Sequence, residues 1–415
     1  MIRAFAPVLI LAVALLTACG DDAADSPSVS PSVSSTPWTL PPSPTPMPPK
    51  SLPATPVVSP LGDESLRIVF FRPYEERGQY SGRLWISGID GSDAQPVTPE
   101  GVESVFAGMS GGDTFYWVEL VSEEDAVLWQ QTLSTGGREE LLRFGIRFLG
   151  HAQVSPGGDR IAYIDFDSVY LLDLVTAEKR LLLQGNAIAC DAPATGGRPA
   201  GTCFLYRNPQ WSPDGELLVV QKGFYEGAVM VLIDPDDPVE QEVGDRELDG
   251  AYIAEWSPDS RALCIIGRYA APSAFYVARA PDWAMTGYLE DELESAPTPG
   301  FDPSAGSASG CAWPSSDRLL VSIANSENGY PTRIGDLDPD DATFSEFEFV
   351  SDDEGYSREL IGAPGQRLAV TQAFVAGGEY YKDPGPLHQV DADTGAIAPI
   401  LQPGDWAVAV VDVSE

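Results

Sequence analysis

The sequence feature that most constrains the fold is a short turn motif that recurs along the chain. The string Trp211-Ser212-Pro213-Asp214-Gly215 is repeated as Trp256-Ser257-Pro258-Asp259-Ser260 and, less closely, as Val154-Ser155-Pro156-Gly157-Gly158. Weaker copies begin at Met109, Trp313 and Gly362. The copies are about 45 to 57 residues apart, close to the period of a four-stranded repeat unit. Such a period indicates an array of similar units.

The residues around each motif favour β-strands. Pro, Gly and Asp make a tight reversal, and β-prone runs such as Ile161-Ala162-Tyr163-Ile164 and Leu217-Leu218-Val219-Val220 follow it. A third strand, an acidic or glycine-rich turn such as Asp90-Gly91-Ser92-Asp93, and a fourth strand complete the unit. No stretch shows a clear helical period, so the pattern predicts an all-β chain.

A small four-stranded sheet cannot bury both of its faces alone, whereas sheets stacked around an axis can. The sequence therefore predicts a β-propeller of seven four-stranded blades, in which the recurring turns belong to blades two to seven. Blade one begins near Ser65, and the β-prone C-terminal segment Trp406–Val413 is predicted to complete it and close the ring. A six-bladed ring with a divergent appendage is the alternative. The recurring tryptophans are expected to pack between neighbouring blades.

The W-S-P-D-G-type turns at Trp211 and Trp256, with downstream turns such as Ile89-Asp90-Gly91-Ser92, resemble the WD40-like propeller repeats of the TolB type. The resemblance covers residues 61–415. It implies the propeller fold and suggests protein–protein interaction, although propellers as a class host many activities.

The first residues resemble a bacterial export signal. Arg3 precedes an apolar run from Ala4 to Ala18, which spans roughly 22 Å as a helix and is shorter than the ~30 Å bilayer core. The run ends in Leu16-Thr17-Ala18-Cys19-Gly20, which is similar to a lipobox and implies that Cys19 carries the lipid. We therefore expect a signal peptide at 1–18 and a lipoprotein anchored on the extracytoplasmic face of the cell membrane. The alternative is a plain secretory signal with a chance cysteine.

Residues 19–60 are expected to act as a tether between the lipid and the propeller. They are rich in Pro, Ser and Thr and lack apolar periodicity, which is typical of an extended, solvated spacer. A proline-motif ligand for a partner domain is the less favoured interpretation. The chain is thus divided into residues 1–18, 19–60 and 61–415.

The charge of the chain excludes one class of partner. With 24 Lys+Arg against 62 Asp+Glu, the formal net charge is −38, so a binder held by nucleic-acid phosphates is excluded. Docking on anionic lipid through a basic patch is disfavoured for the same reason. The charge favours cationic ligands, or it serves solubility alone.

Four cysteines besides Cys19 suit an oxidising compartment, and four cysteines allow three pairings. Cys190 and Cys203 flank an insertion between blades three and four, and their pairing would stabilise the fold by about 3 kcal/mol. Cys264 lies in the second predicted strand of blade five and Cys311 just before the turn of blade six. Adjacent blades would bring this second pair together.

No catalytic residue, cofactor or resident metal is predicted. Gly108-Met109-Ser110-Gly111-Gly112 matches G-x-S-x-G, but a nucleophile elbow needs a strand before the serine and a helix after it. Here the string lies in an inter-strand turn. His151 and His388 are interpreted as structural residues at separate places in the repeat.

Acidic turns are weak candidates for Ca²⁺ because carboxylate oxygens are its preferred ligands. None has the spacing of an EF-hand loop, so solvated turns are the favoured interpretation. The candidate residues are Asp234, Asp236, Asp237, Asp336, Asp338 and Asp340.

Two functions are left open by the sequence. The first is a non-catalytic scaffold that binds another envelope or extracellular protein, and the second is a receptor for a small ligand or a cation that uses the propeller axis or the acidic turns. Glycan hydrolysis is a third and weaker possibility, because carboxylates are too abundant to single out a catalytic pair.

Overall fold

The computed structural model describes residues 65–73, 82–146, 151–186, 203–223, 228–244, 251–267, 275–287, 306–325, 333–339, 343–346, 356–375, 383–401 and 405–412. Within these ranges the chain forms β-strands joined by turns. No helix in this part of the chain is both long enough and apolar enough to cross a bilayer. The predicted signal peptide, the tether and Cys19 lie outside the described residues.

The strands form seven antiparallel sheets of four strands each, as predicted, and the six-bladed alternative is excluded. Blade two contains β4 (Ser104–Ser110), β5 (Thr114–Leu120), β6 (Asp125–Thr132) and β7 (Arg138–Gly145). Blade three contains β8 (Ala152–Val154), β9 (Arg160–Asp165), β10 (Ser168–Asp173) and β11 (Lys179–Leu183). Blade four contains β12 (Leu205–Trp211), β13 (Leu218–Gly223), β14 (Ala228–Ile233) and β15 (Gln241–Glu242).

The next three blades repeat the same strand order. Blade five contains β16 (Ala251–Trp256), β17 (Ala262–Gly267), β18 (Phe275–Arg279) and β19 (Ala284–Gly287). Blade six contains β20 (Gly306–Ser315), β21 (Arg318–Asn325), β22 (Arg333–Asp338) and β23 (Thr343–Glu346). Blade seven contains β24 (Tyr356–Gly362), β25 (Leu368–Val375), β26 (Asp383–Asp391) and β27 (Ile397–Leu401).

Blade one is built from both ends of the folded region, which confirms the predicted closure. It contains β1 (Leu66–Pro73), β2 (Gly82–Gly88), β3 (Gln95–Pro96) and the C-terminal β28 (Trp406–Asp412). β28 pairs antiparallel with β1 from Leu66 opposite Asp412 to Phe71 opposite Trp406. The last strand therefore takes the position that the first strand has in the other blades, and backbone hydrogen bonds hold the ring closed.

The hydrophobic core lies between blades rather than within one. Each buried cluster contains residues from neighbouring blades, for example Val118 of blade two with Ile161 of blade three. Contacts between first strands, such as β20 with β24 and β24 with β28, place these strands around the axis. The packing follows from sheets with two apolar faces, each of which needs a neighbour to leave water.

The recurring tryptophans pack between blades, as the motif predicts. The indole N–H of Trp211 donates to the Gln153 carbonyl of blade three at 3.0 Å. Trp313 of blade six donates to the Glu255 carbonyl of blade five at the same distance. Both indoles are nearly fully buried, so these two motifs tie blades four and six to the preceding blade through apolar contact and a hydrogen bond. Trp256 is buried between blades as well, but its indole N–H has no hydrogen-bond partner.

Candidate functional site

The ring has two different faces. Because every blade is an antiparallel meander, the connections between first and second strands and between third and fourth strands lie on one face, here called the turn face. The remaining connections lie on the opposite face, here called the loop face. Contacts between blades agree with this division, since Arg160 donates to the Gly215 carbonyl at 2.8 Å and the Asp214 amide donates to Ser260 at 3.1 Å.

The turn face consists of compact turns that are stabilised by their own side chains. In blade four, Asp214 accepts from the Ser212 hydroxyl at 2.6 Å and from the Glu216 amide at 3.0 Å. Ser257 and Asp259 repeat the serine–aspartate bond in blade five at 2.7 Å. The recurring S-P-D residues therefore build the turns, because a short side chain that accepts from nearby groups competes well for the reversal.

The predicted calcium candidates occupy separate turns. Asp234 accepts from the Asp236 amide at 2.8 Å, and Asp336 accepts from the Arg318 guanidinium at 2.9 Å. Asp236 and Asp237 lie in the turn with Asp234, Asp338 ends β22 in blade six, and Asp340 lies outside the described residues. Among the described residues, no group of three or more His, Cys, Asp or Glu side chains is arranged to hold a metal ion.

The two faces differ in the length of their connections. On the turn face the longest connection runs over residues 234–240, whereas the loop face has connections over residues 184–204 and 288–305. β1 starts at the turn face, where Leu66 lies opposite Asp412. The first described strand therefore begins on the turn face, whereas the strands that flank both long connections end and begin on the loop face.

The first strands of blades three to five contribute polar side chains near the axis. His151 precedes β8, and burial with the nearby positive charge of Arg207 lowers its pKa to about 4. Gln153 accepts from the backbone amide of Trp211 at 2.7 Å. Glu255 on β16 is half-buried, and desolvation raises its pKa to about 8. At neutral pH, this polar group near the axis (His151, Gln153 and Glu255) thus contains a neutral imidazole and a largely protonated carboxyl.

The residues considered for nucleophilic catalysis belong to three different blades. Ser110 ends β4 and lies within hydrogen-bonding reach of the Tyr116 hydroxyl, and the strand β5 follows it instead of a helix. His151 lies beside blade three and His388 on β26 of blade seven. This arrangement lacks the strand–turn–helix geometry that a nucleophile elbow requires.

The structure contains a disulfide between Cys264 of β17 and Cys311 of β20, which joins blades five and six. Both cysteines are fully buried. Cys203 is also disulfide-bonded, whereas Cys190 lies outside the described residues, so the pairing of Cys190 with Cys203 stays a prediction.

An unusual exposed aromatic residue lies on the loop face of blade three. Phe166 connects β9 to β10 with a φ of 55°, and the Asp167 amide donates to the Asp165 carbonyl at 2.8 Å. This i to i+2 bond with a positive central φ defines a rare, strained γ-turn. The Phe166 side chain remains 41% exposed. The local sequence gives little signal for this residue, since it offers only an aromatic residue, rather than glycine, between two aspartates.

A second exposed apolar residue lies on the adjacent loop of blade two. Val121 follows β5, is 48% exposed, and its amide donates to the Asp125 carbonyl at 2.9 Å. Asp125 pairs with Gly145 across β6 and β7, and Gly145 in turn accepts from the Phe166 amide at 3.0 Å. The two loops are therefore joined by a short chain of backbone contacts.

The fold is a seven-bladed β-propeller whose ring is closed by a shared blade. No protein-family profile matches the sequence, and no curated protein sequence matches it either. Solved structures with the same fold are found at low sequence identity.

Three of these solved structures illustrate the range. An oligogalacturonate lyase from Vibrio parahaemolyticus is 9% identical, with a TM-score of 0.53 over 83% of this chain and 87% of that one. The propeller domain of the Trilobed protease from Pyrococcus furiosus, described as an open velcro topology, is 10% identical, with a TM-score of 0.51 over 84% and 96%. TolB from Acinetobacter baumannii is 15% identical, with a TM-score of 0.44 over 72% and 68%.

TolB structures are among the proteins to which the chain is similar. At these identities the similarity concerns the fold. The neighbours include enzymes, so the fold alone does not assign an activity.

Proposed function

We propose that this protein is a lipid-anchored propeller on the extracytoplasmic face of the cell membrane, where it binds another envelope or extracellular protein without chemistry of its own. Cys19 carries the lipid, residues 19–60 form the tether, and the loop face of the ring binds the partner. The observation that carries the proposal is the asymmetry of the ring: the first described strand begins on the turn face, and the long connections lie on the opposite one. In repeat folds, insertions concentrated on one face commonly form the binding surface.

The rigidity of the ring supports the same proposal. β28 closes the ring through backbone pairing, and the disulfide between Cys264 and Cys311 joins two further blades. A rigid scaffold that presents longer loops loses little conformational entropy when a partner binds. The separation of Ser110, His151 and His388 supports a role in binding rather than in nucleophilic catalysis.

Photo-crosslinking in cells of the source organism tests the proposal. A benzoylphenylalanine probe is placed on the loop face at Glu100 or Ser122, and on the turn face at Val175 or Val239 as matched controls; all four side chains are exposed. We expect a discrete protein adduct from the loop-face probes and none from the turn-face probes. Adducts from the turn face alone, or no adduct from any position, would contradict the proposal.

A receptor for a small ligand or a cation is the second candidate function. The polar group near the axis (His151, Gln153 and Glu255) favours it. Glu255 lies on the first strand of blade five and His151 immediately before that of blade three, and both titratable groups are largely buried where a ligand in the axial opening would meet them. Thermal unfolding with Ca²⁺, polyamines or cationic peptides tests this candidate. A shift in the midpoint that Glu255→Gln removes would support it, and the absence of any shift would reject it.

A further inference from the structure

We propose that Phe166 and Val121, here called the loop-face anchor, form the apolar centre of the partner-binding surface. The segment of the partner protein that fits it carries an apolar side chain flanked by Lys or Arg. This inference rests on the proposed function and specifies which blades, which residues and which partner chemistry are involved.

The backbone at Phe166 indicates that its side chain is retained at a cost to stability. A φ of 55° is unfavourable for a bulky residue and costs on the order of 1–3 kcal/mol, whereas glycine would adopt it freely. Burial of the Phe166 phenyl ring offsets only part of this conformational cost, since the residue remains 41% exposed. A residue that is strained and incompletely buried contributes little to folding, so contact with another molecule is the better explanation for an aromatic residue here.

Gly145 supports one side of the Phe166 ring. A Cβ atom added at position 145 would lie 2.1 Å from a ring carbon of Phe166, a distance that no real Cβ contact allows. Two hydrogen bonds flank this contact, because the Phe166 amide donates to the Gly145 carbonyl and the Gly145 amide donates to the Asp165 side-chain carboxylate, both at 3.0 Å. The phenyl ring of Phe166 therefore packs directly against the backbone of Gly145, and its position does not need to be ordered when a partner binds.

The turn is held on its other side as well. The carbonyl of Asp167 accepts from the Tyr206 amide of blade four at 3.1 Å, and the buried Asp167 carboxylate accepts from Ser168 at 2.8 Å. The blade-two loop is joined to this turn through Asp125 and Gly145. Val121 and Phe166 are thus two exposed apolar residues on neighbouring loops of the loop face that backbone contacts link through Asp125 and Gly145.

The charges around the anchor select the kind of partner. Glu123 and Glu124 are exposed on the blade-two loop, and Asp125 and Asp165 lie at the bases of the two turns. Nearby, Arg143 forms ion pairs with Asp125 at 3.0 Å and with Glu140 at 3.7 Å. The positive charge of Lys179 interacts electrostatically with Asp165. Negatively charged side chains therefore outnumber positively charged ones around the anchor, and the whole chain has a formal net charge of −38. Anionic lipids and nucleic acids are repelled by this surface, and a basic protein segment is attracted.

The proposal is tested with the Ser122 crosslinking probe in cells. Phe166→Gly removes the ring and relieves the strained φ, and Gly145→Ala displaces the ring while leaving Phe166 in place. We expect each variant to reduce the adduct at least fivefold, while Phe166→Gly leaves the thermal unfolding midpoint unchanged or raises it. The matched control is Val175→Gly, which removes an 82% exposed apolar side chain on the turn face and should leave the adduct unchanged.

A second set of variants tests the partner chemistry. Reversing charge with Glu123→Lys and Glu124→Lys together should also reduce the adduct at least fivefold, and the crosslinked partner peptide should contain an apolar residue beside Lys or Arg. An adduct that persists in Phe166→Gly, or a crosslinked peptide that is acidic, would overturn the inference while leaving the proposed function in place. A wild-type chain that gives no loop-face adduct would overturn the proposed function and the inference with it.

Discussion

Glu255 is a residue whose side chain lowers the stability of the folded protein as pH rises. Its carbonyl accepts the inter-blade bond from Trp313, while its side chain lies on the crowded first strand of blade five, opposite Cys264. Burial raises the pKa of this carboxyl from 4.5 to about 8, so the folded protein holds a proton that the unfolded chain would release. A group with a raised carboxyl pKa makes folding less favourable as pH rises from the unfolded value to the folded one.

We expect Glu255→Gln to remove this pH dependence. The difference in free energy of unfolding between the variant and the wild type should grow by about 1.4 kcal/mol per pH unit between pH 4.5 and 8, and level off above that range. Denaturant unfolding at pH 5.5, 7 and 8.5 measures it, with the exposed Glu242→Gln as the control. A difference that stays constant with pH would show that Glu255 is ionised in the folded state.

At the scale of elements, the ring depends on links between blades that are distant in sequence. The disulfide between Cys264 and Cys311 closes a loop with a sequence separation of 47. Restricting a loop of that length lowers the entropy of the unfolded chain, which the loop-closure relation equates with about 4 kcal/mol. The bond lies in the core between blades five and six, where both sulfur atoms are shielded from solvent.

Replacing both cysteines with alanine should therefore lower the free energy of unfolding by about 2 to 4 kcal/mol. Chemical denaturation of the variant and the wild type, without reductant, measures the effect. Because both cysteines are fully buried, reductant alone should leave the native wild-type protein oxidised. Equal stability of the variant and the wild type would contradict the assigned contribution.

An ion pair lies at the start of the closing strand. Arg72 of β1 makes two bonds of 2.7 Å to the Asp405 carboxylate, and its guanidinium lies 4.1 Å from the Trp85 ring. The bonds to Asp405 raise the pKa of Arg72, and the Asp405 side chain is only 5% exposed. The pair thus joins the beginning of β28 to the end of its partner strand.

Asp405→Asn should lower the free energy of unfolding by about 1 to 2 kcal/mol, because a charge-assisted, two-point contact is replaced by a neutral one. Amide hydrogen exchange in β28 should accelerate as the strand opens more often. Asp236→Asn is the matched control, since the Asp236 carboxylate lies 3.8 Å from the Arg180 guanidinium and its side chain is 84% exposed. An equal effect of the two variants would show that the closure does not depend on the buried pair.

At the scale of the whole molecule, the predicted lipid on Cys19 decides where the propeller acts. Two or more acyl chains hold a protein stably on a membrane, whereas an unmodified cysteine contributes no anchoring. We expect the wild type to incorporate labelled palmitate and to sediment with membranes, and Cys19→Ser to lose both properties. Labelled palmitate that persists in Cys19→Ser, or is absent from the wild type, would reject Cys19 as the lipidation site.

The repeat pattern was enough to predict the fold because it is local. Each turn motif defines one reversal, alternating apolar runs define strands, and equal units with two apolar faces must stack. The tryptophans between blades and the closure by Trp406–Val413 follow from this reasoning, since an unpaired β-prone end matches a blade that lacks a strand. The pairing of Cys264 with Cys311 followed from the adjacency of blades five and six.

Other properties were decided only by the tertiary structure, because they depend on neighbours that are distant in sequence. The raised pKa of Glu255 comes from desolvation by surrounding blades, and the Arg72–Asp405 pair forms only when the chain ends meet. The exposure of Phe166 depends on Gly145 of another blade, which supports its ring. Local sequence therefore determined the repeating unit and its order, whereas packing between units decided the charge states, the closing contacts and the surface that faces a partner.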